Sequence, residues 1–401
     1  MAFPPSFPFE FLLFGATLLG VALFHHRTLT AALVGLFAIL VYKFTISGFS
    51  DGVGLPGFGA HINHHWVEFA NLGLLLLGFA LLSRHFEQSN LPELAPDILP
   101  DDWKGGLVLL ALVFVMSAFL DNIAGALIGA TIAAHVYRKK VHIGYLAAIV
   151  AASNAGGAGS VVGDTTTTMM WIAGKSPLDV LHAYVGSLVA FAVFAIPASR
   201  AQQLFAPILK HDVGGIIVDW MRVWIVVFML ACAIGANIAA NLFAPNVSYM
   251  IPVIGFALWF AALSTSLLRR PDWSVLPDAA RGAAFLLSLV LAASLMPVEE
   301  LPPASVASTL GLGFVSALFD NIPLTALALA QGGYDWGFLA YAVGFGGSMV
   351  WFGSSAGVAV SNLFPEAKSA IAWLRAAWWM PLAYLAGFAA MMILPGWQTH
   401  E

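Results

Sequence analysis

Apolar residues run along this chain in long blocks separated by short polar stretches. At about 20 residues per helical crossing of a bilayer, the blocks predict spans at 9–24, 29–47, 66–82, 143–173, 179–197, 222–243, 250–267, 279–297, 337–363 and 373–394. Two further apolar blocks, 106–136 and 302–332, are each cut near the middle by an Asp-Asn pair, Asp121-Asn122 and Asp320-Asn321. At about 1.5 Å rise per residue, each half-block of roughly 14 residues reaches only about 20 Å, short of a hydrocarbon core of about 30 Å. The pattern therefore predicts an all-α polytopic membrane protein with ten crossings and two re-entrant helical hairpins that carry the Asp-Asn pairs at their tips.

Composition supports the class. Hydrophobic residues make up 60% of the 401 positions and charged residues 9%, against roughly 25% charged in a soluble domain. The net charge of −5 and the absence of any basic run longer than Arg138-Lys139-Lys140 argue against a nucleic-acid partner. One cysteine, Cys232, permits no intramolecular disulfide and no thiolate metal cage. The first 26 residues hold no Lys or Arg, so the basic n-region of a cleavable signal peptide is missing and the apolar run from Phe9 is expected to persist in the mature protein.

Charge position tests the layout, because Lys and Arg gather on the cytoplasmic side. With both termini outside, Arg27, Arg84, Lys104, Arg138, Lys139, Lys140, Arg200, Lys210, Arg222, Arg269, Arg270, Arg281, Lys368 and Arg375 all fall at cytoplasmic ends or loops. Lys175 is left outside and Lys43 within a span. Each half then holds three crossings, a hairpin and two crossings. Five crossings is an odd number, so the halves, 1–199 and 222–401, are inverted about a cytoplasmic linker at 200–221 that holds Lys210, Asp212 and Asp219. Ser117-Ala-Phe-Leu-Asp121-Asn122-Ile123 recurs as Ser316-Ala-Leu-Phe-Asp320-Asn321-Ile322, and Gly156-Gly157 with Gly163 recurs as Gly346-Gly347 with Gly353. Inverted repeats with interrupted helices mark secondary transporters, whose site lies where the breaks meet.

The 143–173 span is longer than a crossing needs, and its centre, from Ser153-Asn154 through Gly156, Gly157, Gly159 and Gly163 to Asp164-Thr165-Thr166-Thr167-Thr168, predicts an unwound segment. Freed carbonyls, an Asn amide, Thr hydroxyls and an Asp carboxylate are hard-oxygen ligands suited to Na+, Li+ or protons. The matching break in 337–363, with Ser348, Gly353, Ser354 and Ser355, offers hydroxyls and carbonyls but no acid. Asp121, Asp164 and Asp320 are the acids expected at mid-membrane depth, where an ionised group costs at least about 2.5–3.5 kcal/mol. A carboxylate there can hold a proton or a cation, which is the chemistry of an exchanger. Plainer readings stand beside this one. Asp121 and Asp320 could simply cap the second helix of each hairpin, Thr165 and Thr168 could bond back to carbonyls of the previous turn, and Gly156 and Gly157 could serve close helix packing.

Other features carry less. His61, His64 and His65 have metal-compatible spacing, but a solvated external loop is the preferred reading. Trp171, Trp378 and Trp379 read as interfacial or lipid-facing aromatics, and Lys43 as a side chain snorkelling to the outer interface.

The stretch Asn154-Ala-Gly-Gly-Ala-Gly-Ser-Val-Val-Gly163-Asp164-Thr-Thr-Thr-Thr-Met-Met-Trp171 and the paired Ser-Ala-Phe/Leu-Leu/Phe-Asp-Asn tips resemble the NhaD-type Na+/H+ antiporters of the ion transporter superfamily, which also holds arsenite permeases and citrate and dicarboxylate transporters. The resemblance is clearest over 106–175 and 302–363. Gly159 and Val161 stand where the family pattern usually has Trp and Pro, and Ile123-Ala124 lacks a hydroxyl often found after the first tip. The resemblance implies an elevator-like carrier, usually a homodimer, exchanging cytoplasmic Na+ or Li+ for external protons, with no cofactor and no resident metal beyond the transported ions. It places ion-binding positions at Asp121, Asn122, Asn154, Asp164, Thr166, Thr167, Asp320, Asn321, Ser354 and Ser355. The partners expected are membrane lipid and small inorganic cations, in a bacterial inner membrane. Na+-coupled uptake of an organic anion such as citrate, or arsenite efflux, is the alternative within transport, although Asp at both tips would repel a carboxylate. An intramembrane enzyme is a remote one.

Overall fold

The computed structural model describes residues 8–24, 27–50, 52–91, 99–161, 163–208, 217–243, 247 and 250–398. Among them there is no β-strand, only an isolated bridge between Phe49 and Gly52. The middle of the 200–221 linker, with Lys210 and Asp212, lies outside the described residues.

The first half runs α1 (Phe9–Leu23), α2 (Thr28–Tyr42), α3 (Gly54–Glu87), α4 (Trp103–Ser117), α5 (Asn122–Val136), α6 (Ile143–Ala158), α7 (Thr165–Ile172), α8 (Pro177–Leu181) and α9 (Ala183–Phe205). The second runs α10 (Trp220–Phe243), α11 (Val253–Ser264), α12 (Leu276–Ser294), α13 (Val306–Ser316), α14 (Asn321–Gln331), α15 (Trp336–Gly346), α16 (Ser355–Leu363), α17 (Ala370–Ala376) and α18 (Trp379–Ile393). Many large apolar side chains face outward, among them Leu12, Phe37, Trp224, Phe260 and Leu382. For a chain this poor in charge, that is the surface of an integral membrane protein. Among the described residues, four continuous helical stretches are long and apolar enough to cross a bilayer: Thr28–Ser47, Gly54–Glu87, Pro177–Phe205 and Trp273–Ser294.

The helices sort into two packed groups. One is the series α1, α2, α12, α3, α11 and α10, each packed on the next. The other gathers α4 to α9 with α13 to α18. In it the hairpin arm α5 packs on α16 and α14 packs on α7, so each hairpin grips the broken helix of the other half. The groups meet along α12 with α14 and α3 with α7.

Close backbone contact explains the recurrent glycines. A Cβ on Gly156 would overlap the carbonyl of Phe114 in α4, and one on Gly346 would overlap the carbonyl of Gly313 in α13. Gly157 lies against Gly163 and Asp164 as Gly347 lies against Gly353 and Ser354. Small residues here allow helices to touch main chain to main chain. At Gly159 the Tyr184 ring fills the space that a side chain would need, and the Tyr184 hydroxyl donates to the Gly156 carbonyl at 3.0 Å. This accounts for a glycine where the family pattern usually has Trp.

Several expectations need correction. Residues 54–65 are not a loop: α3 begins at Gly54, so His61, His64 and His65 are helical, and His61 is buried with Nε2 3.0 Å from Ser294 Oγ on α12. Packing outweighs the poor helix propensity of Gly54, Gly57 and Gly59. The 373–394 span is not one straight helix, because α17 and α18 meet at a 62° bend. Trp379 lies inside the protein, whereas Trp378 is exposed. Trp171 is buried too, rather than lipid-facing.

Lys43 does not snorkel. Its Nζ lies 3.5 Å from Glu10 Oε1, with the two side chains 9% and 8% exposed. Removing one member of a buried pair strands the other charge. Lys43→Met is therefore expected to cost about 3 kcal/mol, and the double variant Glu10→Gln/Lys43→Met to recover most of it, read as melting temperatures in detergent. An equal loss in the double variant would show that the pair matters only through packing.

At the far end of α3, Arg84 Nε donates to Asp272 Oδ2 at 2.8 Å and Arg269 Nε to Asp219 Oδ2 at 2.8 Å, tying the ends of α3, α10, α11 and α12 together. The Ser274 hydroxyl and Arg84 hold the Asp272 carboxyl down to about 2. A depressed carboxyl stabilises the fold above its unfolded value of about 3.9 and loses that contribution as pH falls through its folded value. Melting temperature should therefore fall between about pH 4 and pH 2, and Ser274→Ala should shrink that part of the fall.

Candidate functional site

Both helix breaks and both hairpin tips converge. The backbone leaves α6 after Ala158 and resumes at Thr165, with Asp164 as the N-cap of α7. Asp164 Oδ1 accepts from the Thr166 backbone N–H and from Thr166 Oγ1, each at 2.9 Å. Its Oδ2 accepts from Asn122 Nδ2 at 2.9 Å. The Asn122 amide also donates to Asn154 Oδ1 at 3.2 Å. Asn154 Nδ2 in turn reaches across to the second break, donating to Ser348 Oγ at 3.0 Å and Ser354 Oγ at 3.1 Å. Asp164 is 1% exposed and Asn154, Thr166, Ser348 and Ser354 are fully buried.

The second half supplies a simpler set. Ser354 caps α16, accepting from the Gly357 N–H at 3.2 Å. Ser355 Oγ donates to Asp320 Oδ2 at 2.8 Å, and Asp320 Oδ1 caps α14 through the Ile322 N–H at 3.1 Å. Asp121 stands at the N-cap position of α5, with the backbone N–H groups of Asn122 and Ile123 beside its carboxylate. Asp164 lies within electrostatic reach of both Asp121 and Asp320. Those two are half-buried, one on each hairpin tip, whereas Asp164 is buried. The N-termini of α5, α7, α14 and α16 surround the acids, and their partial positive charge offsets part of the cost of burying carboxylates.

The threonines divide by role. Thr166 faces the Asp164 carboxylate. Thr167 Oγ1 donates to the Ser160 carbonyl at 2.5 Å and to the Asp164 carbonyl at 2.9 Å, and Thr168 Oγ1 to the carbonyls of Val161 and Asp164 at 2.9 Å each. These two hydroxyls brace the break by satisfying its freed carbonyls. Asn321 is buried with an Nδ2 that has no protein partner.

Three serines outside the ten expected ion-binding positions complete the arrangement. Ser348 receives Asn154. Ser153 Oγ donates to the Asn122 carbonyl at 2.5 Å and lies 3.0 Å from Ser117 Oγ, which can donate to it, anchoring the first hairpin tip to α6. A signal existed for Ser117, because it opens the repeated tip motif. Ser348 directly follows Gly346-Gly347 in the second break. Among the described residues no cluster of three or more His, Cys, Asp and Glu has the geometry of a metal cage, and His61, His64 and His65 do not form one.

No protein-family model matches the chain. It is similar to sodium/proton antiporter 1 of Arabidopsis thaliana, 27% identical over 304 residues, covering 65% of this chain and 50% of that protein. Sodium/proton antiporter 2 of the same plant is 26% identical over 294 residues, covering 61% of this chain and 66% of its own length. The Na+/H+ antiporter NhaD of Vibrio parahaemolyticus is 26% identical over 390 residues, covering 84% of this chain and 92% of that protein. The chain thus spans about half the length of the first plant relative and nearly all of the Vibrio one.

Proposed function

We propose, starting from this similarity to NhaD-type antiporters, that the chain exchanges Na+ or Li+ for H+ across the membrane. The observation that carries the reading is Asp164, an enclosed carboxylate within electrostatic reach of two half-buried acids and bonded to hydroxyl, amide and backbone N–H groups. A carboxylate so placed needs a counter-charge. A proton or a hard alkali cation can supply it, and each excludes the other. Competition for one site, combined with access alternating between the two sides, is sufficient for exchange.

An organic anion or arsenite is not favoured. Among the described residues no Lys or Arg pairs with Asp121, Asp164 or Asp320, so an anion would meet three acids and no fixed cation. Exchange makes and breaks no covalent bond, so the protein is read as a transporter and not an enzyme, without cofactor. The paired helix order and paired glycine contacts of the two halves support ten crossings and two re-entrant hairpins in inverted repeats, 1–199 and 222–401, about a cytoplasmic linker. Both termini then face outward from a bacterial inner membrane, and the working unit is a homodimer in lipid.

The test is reconstitution in liposomes with a pH-sensitive dye. A Na+- or Li+-dependent proton flux that falls as the medium becomes acid is the expected result. Citrate-driven flux without any Na+/H+ exchange would overturn the reading.

A further inference from the structure

A cavity of ≈ 140 Å³ lies in the seam between the two helix groups. One wall is α3 and α12, through His65, Glu68, Leu72 and Ser294. The other is α7 and α14, through Met169 and Ala326. The second wall is made of the helices that carry Asp164 and Asp320 at their N-termini. Met169 lies five residues beyond Asp164 and Ala326 six beyond Asp320, so the cavity ends about 7–9 Å along those helices from the two acids. His65 and Glu68, with side chains 29% and 50% exposed, form the part of its α3 lining nearest Gly54 and farthest from Arg84 and the polar ties described above.

Its two walls differ in chemistry. The α7 and α14 side is apolar, and Val290 and Ser294 of α12 do not titrate. Among the lining residues only His65 and Glu68 are ionisable, and they form a pair, with His65 Nδ1 3.0 Å from Glu68 Oε2. The His61 ring lies tilted against that of His65, centroids 4.8 Å apart, and is held by Ser294 of α12. His64, 5.0 Å from His65, is exposed at the rim. Of the charged groups nearby, Lys175 lies over the Trp336 ring at 4.5 Å, and Glu299 and Glu300, on the turn packed against α14, are exposed outside the lining.

We propose that this cavity is the outer mouth of the proton path to Asp164 and Asp320, and that the His65–Glu68 pair is its proton-accepting group. The inference rests on the exchange reading. An imidazole is the side chain whose ordinary titration spans the physiological range, and a carboxylate beside it holds the proton that arrives. His65 takes a proton from outside water on a ring nitrogen. It returns that proton to water in the cavity when α7 and α14 shift against α3 and α12, so nothing but the proton changes hands. The carboxylates at the helix breaks remain the sites of exchange, and the pair sets how the outer pH is sensed.

The test uses vesicles of one orientation, with pH varied on one side and fixed on the other. Glu68→Gln is expected to move the midpoint of the outer-pH profile about one unit toward acid, and His65→Gln to flatten it, while the profile against inner pH stays that of the wild type. In a Cys232→Ser background, Ala326→Cys is expected to react with an impermeant thiol reagent from the outer side only, with loss of flux. Wild-type profiles in both the Glu68 and His65 variants would overturn the proposal, as would an Ala326→Cys that transports yet is never modified from outside. Absence of Na+-dependent proton flux in the wild type would instead overturn the exchange reading itself.

Discussion

Asp164→Asn is expected to reduce Na+-driven proton flux by about two orders of magnitude or more while leaving a folded protein. The substitution keeps shape and removes charge. An Asn oxygen can still accept from the Thr166 N–H and hydroxyl, so the cap of α7 survives. What is lost is the anion that a proton or Na+ neutralises, a loss of binding worth at least about 2.7 kcal/mol for a hundredfold effect. The new amide also faces Asn122 Nδ2, donor against donor, where a hydrogen bond of 2.9 Å stood. That costs about 1–2 kcal/mol of stability, too little to unfold most of a membrane protein. Flux and melting temperature measured on the same preparation separate the two effects. Near-normal flux in a folded Asp164→Asn would remove this residue from the exchange site.

Gly156→Val is expected to be the most damaging change to the fold itself. The α6 backbone lies against the Phe114 carbonyl so closely that even one added carbon overlaps it, and the obstacle is main chain, which cannot rotate aside. Valine adds two further methyls. Overpacking usually costs about 1–3 kcal/mol where side chains can yield, so a cost above about 3 kcal/mol is expected here. Gly346→Val, against Gly313, should behave alike. Gly311→Ala supplies the control, because a Cβ there meets nothing within 4 Å, and its melting temperature should match or slightly exceed the wild type. Tolerance of Gly156→Val would mean that α6 and α4 stand further apart than described.

The helix breaks were legible from the chain because a charge is conspicuous in an apolar block. Asp121, Asp164 and Asp320 stand out against apolar blocks, and clustered glycines before Asp164 announce an unwound helix. What the sequence could not carry is contact between distant segments. Asn154 bonding to Ser348 and Ser354 joins the two halves across nearly two hundred positions, and no periodicity reveals such a partner. Lys43 read as snorkelling because its partner, Glu10, sits on another helix. The segment 54–65 read as a loop because three glycines weaken a helix locally, whereas the His61 bond to Ser294 and packing on α12 are tertiary terms. Among the threonines, residue type announced an oxygen-rich site, but only the backbone path decides that Thr166 faces the carboxylate while Thr167 and Thr168 brace the break.

The central claim is that one set of carboxylates holds Na+ and H+ by turns. Adding NaCl to purified protein in weakly buffered detergent solution, with released protons followed by a pH dye and choline chloride as the reference, tests it most directly. Proton release on Na+ addition, saturable, larger near neutral pH than in strong alkali and absent in Asp164→Asn, is the predicted result. Saturable Na+ binding with no proton release at any pH, or release unchanged in Asp164→Asn, would contradict it.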